Sequence, residues 1–266
     1  MTHSPPPPVP IHWAVETGPL AAERAGSGPP IVFLHGFTQT GRSWRPIAEH
    51  FARNGHTVVL VDLPGHGGSS HVRADLRRTA DMVAAVGGEA AYVGYSLGGR
   101  VCLHLALMYP HLVTRLMVIG AHPGLDDDDE RAARRDHDAA VAARIATMGV
   151  DDFLTDWLAQ PLFGRLTPDA ADLDDRRRNT VEGLASSLQM AGTGTQTSLW
   201  PRLRELTMPI LAVAGAEDTK FAPIAAQLAR EVPHGRCVLI EGAAHAAHLE
   251  RPDVMIGLLT DFVGSP

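Results

Sequence analysis

The chain has 266 residues, 45% of them hydrophobic, with a formal net charge of −7. That length supports one sizeable core, alone or with an insertion. The acidic balance, with no basic stripe, excludes a nucleic-acid binder as the leading expectation. No apolar run approaches the roughly 18 residues of a membrane span.

Residues 1–10 carry four consecutive prolines, Pro5 to Pro8, and no apolar core of an export signal. They read as a solvated polyproline II tail, and a cytoplasmic location is the expectation. Ile11 to Thr17 alternates roughly and predicts an edge strand. A Gly/Pro-rich turn over 26–30 precedes Ile31-Val32-Phe33-Leu34, a continuous apolar run of the kind buried on both faces of a parallel sheet. Trp44 to Asn54 has helical spacing, and Thr57 to Val61 is a second buried strand. Leu76 to Val86 is helical, Ala90 to Gly94 a short strand, Leu97 to Tyr109 a helix and Leu112 to Gly120 the next strand. This βαβα rhythm predicts a mostly parallel, doubly wound sheet.

The rhythm stops after Gly120. From His122 to about Leu206 the chain reads as helical and charged, opening with Asp126-Asp127-Asp128-Asp129-Glu130, an acidic run suited to a helix N-terminus. We read 122–206 as an inserted helical cap on a core made of 11–121 and 207–266. The core resumes with a strand at Pro209 to Ala214, a helix from about Ala222, the strand Cys237 to Ile240 and a last helix from Pro252. The two cysteines, Cys102 and Cys237, each sit in an apolar stretch and are expected to be buried structural thiols in a reducing compartment. No Cys/His spacing suggests a metal, and neither metal nor cofactor is expected.

Gly94-Tyr95-Ser96-Leu97-Gly98 is a G-x-S-x-G pentapeptide between a strand and a helix, the context that makes its serine a nucleophile. A serine hydroxyl needs a histidine to take its proton and a carboxylate to orient that histidine. In this architecture the acid and then the histidine follow the serine in the chain. Asp218, just past the 209–214 strand, is the favoured acid, with Glu217 as the adjacent rival. His245, after the small-residue loop Gly242-Ala243-Ala244, is the favoured base, with His248 as competitor. Asp62 precedes Ser96 and reads as a turn residue. His35-Gly36-Phe37 follows the first buried strand, so the backbone N–H groups of Phe37 and Leu97 are the expected oxyanion hole.

These segments resemble the α/β-hydrolase superfamily. Several resemble one branch of it, the 2-succinyl-6-hydroxy-2,4-cyclohexadiene-1-carboxylate synthases of menaquinone biosynthesis. The resemblance rests on His35-Gly36-Phe37, on 61–69 (VDLPGHGGS) and 93–100 (VGYSLGGR), and on His122-Pro123-Gly124-Leu125 with Glu130, Arg131 and Arg134. It continues through Asp156-Trp157 with Gln160-Pro161, Asp218-Thr219-Lys220-Phe221 and His245-Ala246-Ala247-His248. It covers nearly the whole chain after the Pro-rich tail. It implies an α/β-hydrolase fold and a lyase that removes pyruvate from a succinylated, enolpyruvyl-bearing cyclohexene, with Ser96 as base and the oxyanion hole holding an enolate. It also implies a small polyanionic substrate bound by Tyr95, Arg100, Arg134, Trp157 and Arg178. Arg100, four residues after Ser96, stands one helical turn from it, and guanidinium forks suit carboxylates.

A carboxylesterase, a C–C bond hydrolase and a cofactor-free peroxidase are the competing activities. A dehalogenase or epoxide hydrolase needs an aspartate at position 96 and is excluded. A receptor on the same fold has no use for a base at His245.

Overall fold

The computed structural model describes residues 10–264; residues 1–9 of the expected Pro-rich tail lie outside the described residues. Eight strands form one sheet in the order β1-β2-β4-β3-β5-β6-β7-β8. They are β1 Ala14–Glu16, β2 Ala22–Gly26, β3 Pro30–Leu34, β4 Thr57–Val61, β5 Ala90–Tyr95, β6 Val113–Ile119, β7 Ile210–Gly215 and β8 Gly235–Ile240. The β1–β2 and β2–β4 pairings are antiparallel, and every later pairing is parallel.

The predicted strands at 31–34, 57–61, 90–94, 112–120 and 209–214 are all present. β2 escaped prediction because Ala-Glu-Arg-Ala-Gly has no apolar run. It is a near-edge strand, and Glu23 on it takes Arg42 and Arg45 as ion-pair partners at 2.7 and 2.6 Å. β8 is the other edge, so Cys237 is only partly buried, contrary to expectation, while Cys102, in the helix after β5, is fully buried.

Eleven α-helices surround the sheet among the described residues: α1 Arg45–Arg53, α2 Leu76–Gly87, α3 Leu97–Met108, α4 Asp128–Met148, α5 Val150–Leu158, α6 Pro168–Ala171, α7 Leu173–Arg176, α8 Val181–Ala191, α9 Phe221–Glu231, α10 Ala247–Glu250 and α11 Pro252–Gly264. Side chains alternate across each strand, and the alternation divides the core. Val32, Leu34, Val59 and Val61 face α2, α3 and α9 through Ala80, Val101 and Leu228. Ile31, Phe33, Val58 and Leu60 face α1 and α11 through Ile47, Phe51, Met255 and Leu259.

Between β6 and β7 the described chain contains only helices and loops. Here α4, α5 and α8 bury a third cluster of their own, Val141, Ile145, Phe153, Leu184 and Leu188. The acidic run does start a helix: Asp127 caps α4 by accepting from the Glu130 N–H at 2.8 Å, and Asp128, Asp129 and Glu130 fill its first turn. No described helix is long and apolar enough to cross a membrane.

Candidate active site

Parallel strands end on one edge, and that edge collects the candidate residues. The loops after β3, β5, β6, β7 and β8 carry Phe37, Ser96, His122, Asp218 and His245 respectively. Such an edge is where ligands bind in open α/β sheets.

Ser96 sits in the one-residue turn between β5 and α3, at φ 49° and ψ −106°. A non-glycine residue there carries backbone strain of about 1–3 kcal/mol. The turn is held by the Ser96 N–H donating to Ile119 O at 2.8 Å and by Gly98 N–H donating to His35 O at 3.0 Å. The turn closes only because Gly94 lacks a side chain: a Cβ there would stand 2.5 Å from the Gly98 carbonyl carbon.

Asp218 follows β7 and is 5% exposed. Its Oδ2 lies 2.7 Å from His245 Nδ1, while Oδ1 accepts from the N–H groups of Phe221 at 3.0 Å and Lys220 at 3.2 Å. Burial pushes this carboxyl's pKa up, but the His245 and backbone hydrogen bonds outweigh it and hold the group below the ordinary 3.8. The His245 ring packs on Phe221 (centroids 4.6 Å) and Tyr95 (5.2 Å). The rivals are placed elsewhere. Glu217 turns outward to Arg165. His248 is fully buried between Trp44 and Tyr95, with no hydrogen-bond partner among the described residues for either nitrogen.

The loop carrying Phe37 is braced from below. His35 is fully buried; burial lowers its pKa to about 4, so it is neutral, donating from Nδ1 to Gly36 O at 2.8 Å and accepting at Nε2 from Leu63 N–H at 3.0 Å. Gln39 Oε1 accepts from Gly36 N–H at 2.9 Å, and Asn179 Nδ2 donates to Thr38 O at 2.7 Å. The Phe37 N–H has no acceptor among the described residues, and Leu97, opening α3, has none within its helix. Two backbone donors thus flank the serine turn.

Ser96 and His245 line one cavity of about 140 Å³, together with Phe37, Leu97, Tyr95, Trp157, Arg100 and Arg134. Arg100 is 8% exposed, and the one hydrogen bond described for its guanidinium is at 3.4 Å, to the neutral Gln196 Oε1. Burial, reinforced by Arg134, lowers its pKa to about 10. Arg134 is half-buried and pairs with Asp138 at 2.8 Å. No Asp or Glu lines the cavity.

Arg178, expected in the pocket, is placed outside it. It bonds Asp175 at 3.0 Å and Thr40 at 3.2 Å and lines a separate small cavity with Glu23 and Asp62. The short helix α7 turns its neighbour Arg176 inward instead, onto Ala171 O (2.6 Å) and the Thr38 hydroxyl. Two lining residues, His122 and Lys220, were not singled out as site residues from the sequence. A signal existed: each lies in the loop that follows a strand end on this edge, after β6 and β7.

Comparison with known proteins gives the fold and the family. The alpha/beta hydrolase fold family matches residues 29–252. The 2-succinyl-6-hydroxy-2,4-cyclohexadiene-1-carboxylate synthase of Citrobacter koseri is 36% identical over 247 residues, covering 88% of this chain and 94% of that protein. A putative synthase of the same name from Bacillus subtilis is 30% identical over 272 residues, covering 96% of each. The structure of MenH from S. aureus superposes with a TM-score of 0.83 at 28% identity, covering 91% of this chain and 97% of that one. A malate-bound esterase from Thermogutta terrifontis (TM-score 0.79, 22% identity, 96% and 98% covered) shares the fold alone. The chain therefore belongs to the α/β-hydrolase fold family and, within it, to the family of the 2-succinyl-6-hydroxy-2,4-cyclohexadiene-1-carboxylate synthases.

Proposed function

We propose that the protein eliminates pyruvate from a succinyl, enolpyruvyl-bearing hydroxycyclohexene carboxylate to give 2-succinyl-6-hydroxy-2,4-cyclohexadiene-1-carboxylate. The observation that carries the reading is the charge of the cavity: Arg100, Arg134 and Lys220 line it beside Ser96, and no carboxylate does. A neutral ester gives no return for burying Arg100 without a carboxylate partner, a cost of several kcal/mol per unpaired ion. A polyanionic substrate supplies that partner.

His245, oriented through Nδ1 by Asp218, takes the Ser96 proton at Nε2. The serine oxygen then removes the proton from the carbon beside the succinyl ketone, and the Phe37 and Leu97 N–H groups hold the resulting enolate oxygen. Each such donor stabilises developing charge by about 3 kcal/mol. As the enolate collapses, the ring double bond shifts and the bond to the enolpyruvyl oxygen breaks. That oxygen leaves with the electron pair, and protonation and tautomerisation yield pyruvate. The ring gains its second double bond. In this reading the helical segment 122–206 is a cap: Trp157 from α5 packs edge-on against Phe37 at 5.1 Å and roofs the site.

The test follows pyruvate release from the enolpyruvyl substrate with lactate dehydrogenase and NADH, beside p-nitrophenyl acetate as an ester control. Pyruvate release dependent on Ser96 and His245 is expected. Rapid ester turnover with no pyruvate released refutes the proposal and favours the esterase reading.

A further inference from the structure

Lys220 and His122 enter the serine cavity on different elements from the two arginines. Arg100 and Arg134 come from α3 and α4, whereas His122 follows β6 and Lys220 ends the loop after β7. Arg100 is buried, but Lys220 is exposed and so stands at the cavity's mouth. No carboxylate pairs with the Lys220 ammonium among the described residues. It rests 5.4 Å from the Phe221 ring, and that ring stacks on His245. His122 Nδ1 accepts from Gly124 N–H at 3.0 Å, which leaves Nε2 as the ring's donor. Burial, with Lys220 and then Arg100 nearby, lowers the His122 pKa to about 4. The ring is therefore a neutral donor near neutral pH.

We propose that Lys220 and His122 form a distinct carboxylate subsite at the mouth of the cavity, which holds the carboxylate of the departing pyruvate. The assignment rests on the elimination reading. In that reaction the substrate carries three carboxylates and the ring product keeps two. The retained fragment belongs deep in the cavity, on guanidinium forks that fix a carboxylate bidentately. The fragment that leaves must pass the mouth. A single exposed ammonium on a flexible stem suits it, because such a contact is solvated and readily released. The subsite is also tied to Asp218: the Lys220 backbone N–H donates to Asp218 Oδ1 while the residue lines the cavity.

The test compares the wild type with Lys220→Met, Lys220→Arg and His122→Phe, all at low ionic strength, where exposed charges act most strongly. Lys220 is exposed, so Lys220→Met is expected to fold. Two readouts are taken: KM for pyruvate release from the substrate, and binding of pyruvate itself by saturation-transfer NMR, which needs no turnover. Lys220→Met should raise KM and weaken pyruvate binding by about tenfold, on the scale of one charge-assisted hydrogen bond. Lys220→Arg should restore most of both, and His122→Phe should show a smaller loss in both. Inhibition by the ring product should change less than twofold in every variant. Equal weakening of ring-product inhibition and pyruvate binding overturns the assignment to the leaving group. Unchanged KM and unchanged pyruvate binding overturn the subsite altogether. A wild type that binds pyruvate but never releases it from the substrate refutes the elimination reading instead, so the two failures are distinguishable.

Discussion

Arg100→Met tests the claim that the site stores an unpaid electrostatic cost until substrate arrives. Arg100 is buried, and burial holds its pKa at about 10 against the ordinary 12.5. That depression corresponds to about 3 kcal/mol of destabilisation. The sign is definite. The unfolded chain binds this proton more tightly than the folded one, so the penalty is present in full at every pH below about 10. It fades only as pH rises from there through 12.5. Methionine keeps much of the stem's apolar packing and removes the charge, so the empty enzyme should gain about 1–3 kcal/mol, or about 2–8 °C in Tm. The gain should be flat between pH 6 and 8. Turnover should move the other way. Losing a buried charged partner of a substrate carboxylate costs about 3 kcal/mol, a fall of about 10²-fold in kcat/KM for pyruvate release. Urea or thermal unfolding and the coupled pyruvate assay measure the two effects on one preparation. A variant that is less stable than the wild type and still turns over at more than half its kcat/KM refutes the reasoning.

Ser96→Gly should abolish pyruvate release while raising stability by about 1–3 kcal/mol, because glycine relieves the positive φ; calorimetry and the same assay check both. For Asp218, a depressed folded-state pKa means its stabilising contribution is complete above the ordinary 3.8 and lost as pH falls through the lower folded value. Asp218→Asn should therefore flatten the dependence of the urea midpoint on pH below about 4, and lower kcat by about 10²–10⁴-fold by misorienting His245. Arg178→Ala should leave KM for the enolpyruvyl substrate within about twofold, whereas Arg134→Ala should raise it by about tenfold or more. Equal effects in a steady-state comparison would return Arg178 to the pocket.

The parts of the site legible beforehand were those encoded locally. Gly94 to Gly98 specifies a strand–turn–helix through spacing and small residues alone, and the structure gives Ser96 the strained turn that spacing implies. The order serine, acid, histidine, with the base placed after the last predicted strand, narrowed fourteen histidines to two, because a chain winding strand after strand must bring its later partners to the same sheet edge. The runs of β3 and β4 were plain because strands buried on both faces leave no room for polar residues. β2 was not, since its partners rather than its own residues make it a strand.

The residue order alone determines the fold class and marks the candidate nucleophile and the chemical type of its candidate partners, since these depend on short-range periodicity and turn geometry. Tertiary structure decided which side chains share the cavity. Arg176, Arg177 and Arg178 are chemically equivalent neighbours. Only the way α7 lies against the core sends Arg178 to Asp175 and Arg176 to Thr38. Likewise, Lys220 and His122 meet at one cavity because β6 and β7 lie side by side, although ninety-odd residues, most of them in the helical segment, separate them in sequence.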